Sequence, residues 1–160
     1  MGKIRNGIMK LNSKYQEIIL PMINKNISIG KGLRLRKNVV LNCNGGVLTI
    51  GKGAFINNFC SINARKHVEI GDNFLCGENV HIYDHNHVFS NTTAPISSQG
   101  FKCKPVKIGN NVWIGSNVTV LSGVTIGDNC VIGANCLIFK DIPSNSVIKA
   151  KQELMIQQRE

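Results

Sequence analysis

Aliphatic side chains recur every six residues along most of this chain. In the C-terminal half Ile108, Ile114, Val120, Ile126, Ile132 and Ile138 form one track. A second track lies two positions upstream, at Val106, Val112, Val118, Val124, Cys130 and Cys136. Gly follows the leading aliphatic at Gly109, Gly115, Gly127 and Gly133, and Asn or Gly comes three residues after it, at Asn111, Asn117, Gly123, Asn129 and Asn135. An amphipathic helix would repeat every ~3.6 residues and a half-buried strand every ~2. Period six with Gly and Asn punctuation instead predicts strands of two or three residues joined by tight turns. Those turns need positive φ, which Gly adopts freely and Asn better than most residues. The expected fold is all-β, a parallel β-helix.

The same pattern runs earlier in the chain with shifts of phase. Ile50, Ile56 and Ile62 form one run, and Ile70, Cys76 and Ile82 the next, after a two-residue insertion near Arg65 and Lys66. Gly51, Gly71 and Gly77 mark the turns, and Ile29-Gly30 belongs to an imperfect first coil. The pattern predicts one domain over 1–160: an N-terminal cap over 1–26, a β-helix over 27–142 and a C-terminal tail over 143–160. In such a solenoid each coil is stabilised mainly by its neighbours. Between Ile82 and Val106 the period vanishes. The excursion from Tyr83 to Pro105 is too long for a plain connector. Phe89, Pro95, Ile96 and Phe101 give it something to pack, so it is expected to form a flap.

The chain is 42% hydrophobic but only 6% aromatic, which suits a narrow core of stacked aliphatics. No apolar run reaches the ~20 residues of a membrane span, and the basic N-terminus lacks the apolar stretch of a secretory signal. Cys60, Cys76, Cys130 and Cys136 occupy apolar slots of the repeat, so they read as core thiols and point to a cytoplasmic location, at most peripheral to the inner membrane face. Cys43 and Cys103 lie outside the clean repeat. Nineteen basic residues against nine acidic ones give a net charge of +10, which draws anions. The basic residues are scattered and the repeat supplies no recognition helix, so nucleic acid is not the expected partner.

Two segments are more specific than the repeat alone: IYDHNH at 82 to 87, and KIGNNVWIGSNVTVLSGVTIGDNCVIGANCLIFKDIP at 107 to 143. With them the chain resembles the hexapeptide-repeat acyltransferases, close to the maltose, galactoside and xenobiotic O-acetyltransferases and their capsule-modifying relatives. The resemblance implies left-handed coiling, a homotrimer with active sites between neighbouring β-helices, and acetyl-CoA as co-substrate without a metal. The activity it implies is O-acetylation of a sugar or lipid-linked glycan hydroxyl in surface-glycan synthesis. N-acylation of an amino sugar is the near alternative. A zinc protein like the gamma-class carbonic anhydrases, drawing on His67, His81, His85 and His87, and a non-catalytic scaffold are more distant ones.

The resemblance also assigns residues. His87 is the expected catalytic base, since imidazole titrates near neutrality, with His85 as the alternative. Residues 85 and 87 share one side of an extended chain. Asp84 is expected to be a solvent-facing turn residue, with orientation of one of the two histidines as the alternative. Asn57 falls where relatives carry an Asn near the reaction centre, which suits oxyanion stabilisation, and Asn63 is a weaker acceptor-side candidate. Trp113 bounds the acyl or pantetheine channel. Ser116 and Ala134 border the pantetheine arm, Phe139 and Lys140 lie near the pyrophosphate and adenine, and Lys151 meets the 3′-phosphate. Relatives carry a Gly-Asn-Pro-Ala-like turn in this last region, where this chain reads SVIKAKQELMI.

Overall fold

The computed structural model describes residues 24–151, 153 and 155–159. Most of the expected N-terminal cap therefore lies outside the described residues, as do positions 152, 154 and 160 of the expected tail.

Each coil contributes one short strand to each of three parallel sheets. The first coil holds β1 (Ile27–Ile29), β2 (Arg34–Leu35) and β3 (Val40–Cys43); the second holds β4 (Val47–Ile50), β5 (Phe55–Ile56) and β6 (Ser61–Ala64). The third holds β7 (His67–Ile70), β8 (Leu75–Cys76) and β9 (His81–Tyr83). An excursion carrying β10 (His85–His87) and β11 (Phe101–Cys103) follows. The fourth coil is β12 (Val106–Ile108), β13 (Trp113–Ile114) and β14 (Thr119–Val120), and the fifth is β15 (Thr125–Ile126), β16 (Val131–Ile132) and β17 (Leu137–Ile138). A partial sixth adds a bridge from Ile126 to Ile142 and β18 (Val147–Ile148). Face A is β1-β4-β7-β12-β15, face B is β2-β5-β8-β13-β16-β18, and face C is β3-β6-β9-β14-β17.

Both aliphatic tracks point inward. Ile108, Ile114, Val120, Ile126, Ile132 and Ile138 are buried, as are Val106, Val112, Val118, Val124, Cys130 and Cys136. Stacking along the axis fills the interior mainly with aliphatic side chains, Phe74 being the buried aromatic among the described residues, and each buried Ile or Val contributes about 1.5–3 kcal/mol over its exposed state. The four thiols expected in the core are there, and all six cysteines are free.

The corners show two separate solutions. Positive φ occurs three residues after the leading aliphatic, at Asn111, Asn117, Gly123, Asn129 and Asn135, as the punctuation predicts. The Asn side chains also ladder from coil to coil, with Asn79 Nδ2 donating to Asn117 Oδ1 (3.0 Å) and Asn117 Nδ2 to Asn135 Oδ1 (3.1 Å). The Gly directly after the aliphatic has a different reason. Gly115 has no positive φ, but a Cβ there would sit 2.7 Å from Ala134 N. Close approach of successive backbones, not φ, excludes a side chain at that position.

Where the period vanishes, β10 and β11 pair antiparallel, His85 opposite Cys103 and His87 opposite Phe101. This two-stranded ribbon leaves the corner between faces C and A. Within one chain Phe89 and Ile96 at its far end are exposed.

Candidate active site

The insertion after β6 determines the local architecture. Arg65 and Lys66 lengthen that corner and turn successive backbone N–H groups towards the interior, where each needs an acceptor. Asp84, one coil on, supplies it. Its carboxylate accepts from Arg65 N (2.9 Å), Lys66 N (2.6 Å) and His67 N (2.8 Å), and the His85 ring places Nδ1 3.0 Å from Oδ1. Asp84 is fully buried, which corrects the expectation of a solvent-facing turn residue. Burial pushes its carboxyl up, but the three backbone donors and His85 outweigh it and hold it below its ordinary value. An ionised carboxylate only accepts, so His85 carries its proton on Nδ1 and presents Nε2 as the basic nitrogen. The sequence signal for Asp84 was the insertion itself, since extra corner residues create donors that need a partner.

His85 and His87 share one side of β10, as alternation along the strand predicts, and both rings meet Phe101. The centroid distances are 5.4 Å for His85 and 4.4 Å for His87. The Arg65 guanidinium lies over the same Phe101 ring, 3.5 Å from its centre. Half-buried His85 is held by Asp84, whereas His87 is exposed and presented by the ribbon. On face C an aromatic series leads towards them, with His81 to Tyr83 at 6.3 Å and Tyr83 to His85 at 6.1 Å. Asn63 pairs in register with Tyr83 on this side. Phe139 and Lys140, both exposed, follow β17 at the same corner as the ribbon.

The remaining predicted residues stand elsewhere. Asn57, Ser116 and Ala134 occupy the corner between faces B and C. Asn57 Oδ1 accepts from Asn58 N (2.9 Å), which leaves Nδ2 as its available donor. Ser116 Oγ accepts from Glu78 N (3.1 Å), and Ala134 lies against Gly115. Lys151 continues past this corner and pairs with Glu153 at 3.4 Å, both of them highly exposed. Trp113 projects from face B, half exposed, with Leu75 and Val131 beside it in register. Within one chain, then, His87 with Phe139 and Lys140 stands at one end of face C, and Asn57 with Ser116 and Ala134 at the other. The full width of face C separates the two sets.

The histidines form no metal site. His81 Nδ1 is 2.7 Å from Ser61 Oγ and its Nε2 3.0 Å from Asn79 Oδ1, while His85 is taken by Asp84. Among the described residues no group of three His, Cys, Asp or Glu is placed to hold an ion, so the zinc reading has no ligand set there. No helix among them is long and apolar enough to cross a membrane.

The comparisons agree with this architecture. The family model for bacterial transferase hexapeptides (six repeats) matches residues 105–140. Among solved structures, a maltose O-acetyltransferase from Clostridium difficile is 35% identical, with a TM-score of 0.66, over 80% of this chain and 67% of its own. A hexapeptide-repeat acetyltransferase from Vibrio cholerae, solved with acetyl coenzyme A, is 26% identical with a TM-score of 0.71, over 91% of this chain and 78% of its own. A galactoside acetyltransferase in complex with coenzyme A is 34% identical with a TM-score of 0.61, over 80% of this chain and 63% of its own. No curated protein matches the sequence. With a repeat of this kind, an excursion ribbon bearing two histidines, and a relative this similar over two thirds of its length, the chain belongs to the hexapeptide-repeat acetyltransferases.

Proposed function

We propose that this acetyltransferase moves the acetyl group of acetyl-CoA to a hydroxyl of a sugar acceptor, in a cleft between neighbouring copies of the chain. The observation that carries this reading is the division of the site. The histidine ribbon and the Asn57–Ser116–Ala134 corner stand at opposite ends of face C, so only a second copy can bring one against the other. A closed trimer with one cleft per interface does this three times. The relatives solved with acetyl coenzyme A or coenzyme A support the choice of donor.

In this reading His87 takes the hydroxyl proton as the acceptor oxygen attacks the thioester carbonyl. The C–O bond forms, the C–S bond breaks, and the proton passes from His87 to the departing sulfur. Asn57 Nδ2 is the donor for the developing oxyanion. Ser116 and Ala134 are small enough for the pantetheine arm to lie close, with Trp113 walling the channel. Phe139, Lys140 and Lys151 serve the nucleotide end. Lipid-linked or polymeric surface glycans are the acceptor class that suits the +10 charge.

One observation favours a second assignment of the base, because the carboxylate orients His85 and not His87. Single-turnover acetyl transfer with His87→Ala and His85→Ala separates them. His87→Ala should lower kcat by roughly 10²–10⁴-fold, the usual size of a general-base contribution, while His85→Ala keeps a larger residual rate. The opposite order moves the role to the Asp84–His85 pair. A panel of neutral, acidic and amino sugars in the same assay decides between O- and N-acetylation.

A further inference from the structure

We propose that Arg65 is a specificity residue, which binds a carboxylate or phosphate on the acceptor while the hydroxyl to be acetylated lies at His87. The inference rests on the reading of His87 as the reaction centre and narrows its acceptor to anionic sugars.

The corner insertion puts Arg65 where it is, and its backbone is tied to Asp84. The side chain then lies over Phe101, with the guanidinium carbon 3.5 Å from the ring centre. The His87 ring lies 4.4 Å from that same centre. Guanidinium and imidazole are therefore no farther apart than these two distances laid end to end, a span bridged by one pyranose ring and its charged substituent.

Among the described residues no carboxylate pairs with Arg65. The buried Asp84 is engaged by backbone donors, and Glu69 pairs with Lys107 at 3.3 Å. Stacking on Phe101 costs the guanidinium none of its N–H donors, because the cation meets the face of the ring. The planar guanidinium fork matches an oxyanion with two terminal oxygens. A half-buried, unpaired guanidinium held on the same aromatic ring as the expected base is a recognition group. The far side of the ribbon adds to the field. There Lys102 and Lys104, with Asn86 and Ser122, line an open cavity of about 190 Å³.

The test titrates the full chain, its histidines isotope-labelled, with methyl glucuronide, glucose 1-phosphate and methyl glucoside. It follows the His87 ring by NMR and measures acetyl transfer to the same compounds. At least one of the two anions should move the His87 signals and outcompete the neutral glycoside. Arg65→Met, whose long apolar side chain can still cover Phe101, should weaken that anion by about tenfold or more, as loss of a charge-assisted hydrogen bond does, and leave the glucoside unchanged. Arg65→Lys, which keeps the charge but lacks the planar fork, should fall between. A larger response to the glucuronide assigns a carboxylate, and a larger response to the sugar phosphate assigns a phosphate. Anions that leave His87 unmoved overturn the proposal. So does an Arg65→Met variant that binds them like the wild type, or one that loses charged and neutral acceptors equally, which marks Arg65 as ribbon packing. If His87→Ala keeps full transfer while anions still bind through Arg65, the assignment of the base fails and the anion site stands.

Discussion

Asp84→Ala should be the most damaging single truncation in this protein for its size. The carboxylate is fully buried and takes three consecutive backbone N–H groups, at 2.9, 2.6 and 2.8 Å, besides orienting His85. A buried donor left without an acceptor costs about 1–3 kcal/mol. Arg65, Lys66 and His67 are themselves only partly covered, so water can reach some of the donors freed by the truncation, and the three together put the variant about 3–5 kcal/mol below the wild type. For a chain of this size that is a fall of roughly 10 °C in Tm, at about 2–4 °C per kcal/mol. Urea unfolding at matched protein concentration measures it, since an oligomer's stability depends on concentration. Acid supplies an independent check. The folded Asp84 carboxyl is held low, so its contribution is fully present above the unfolded value of about 4 and is lost as pH falls through the folded value. The gap between wild type and variant should hold level above about pH 4 and close below it. A difference under about 1 kcal/mol at neutral pH, typical of an ordinary site, or a gap that widens in acid, would refute the account of Asp84.

Three further outcomes follow from the coils. Gly115→Ala places a Cβ 2.7 Å from Ala134 N, so it should cost about 1–3 kcal/mol by overpacking, read from chemical unfolding. Gly45→Ala has open space around its Cβ and bears only the strain of its φ of +83°, so it should cost less. Phe59 adopts a φ of 61° while 58% exposed, in the turn slot that Asn fills in neighbouring coils. Phe59→Asn should therefore stabilise by roughly 1 kcal/mol, the order of the left-handed penalty, and a drop in Tm would show that Phe59 packs on something instead. Light scattering should give a mass near three times 17.5 kDa, and a monomer that still transfers acetyl groups would end the shared-cleft reading.

How much of this was legible beforehand differs between coil and site. Asn111, Asn117 and Asn135 announced their positive φ by type and spacing. Gly115 announced a tight spot for the wrong reason, since the backbone it must avoid belongs to the next coil. The histidines of β10 could be placed on one side of a strand because alternation is a local rule. For Asp84 and Arg65 the local pattern could not name the partners. Asp84 meets N–H groups 17 to 19 residues earlier in the chain, and Arg65 meets a ring across the whole excursion. The sequence by itself determined the parallel β-helix, because hexad burial and turn preference are properties of neighbouring residues repeated many times. Only the tertiary structure decided which side chains share a corner, because coils of unequal length, an insertion and an excursion shift the register by amounts that no local pattern encodes.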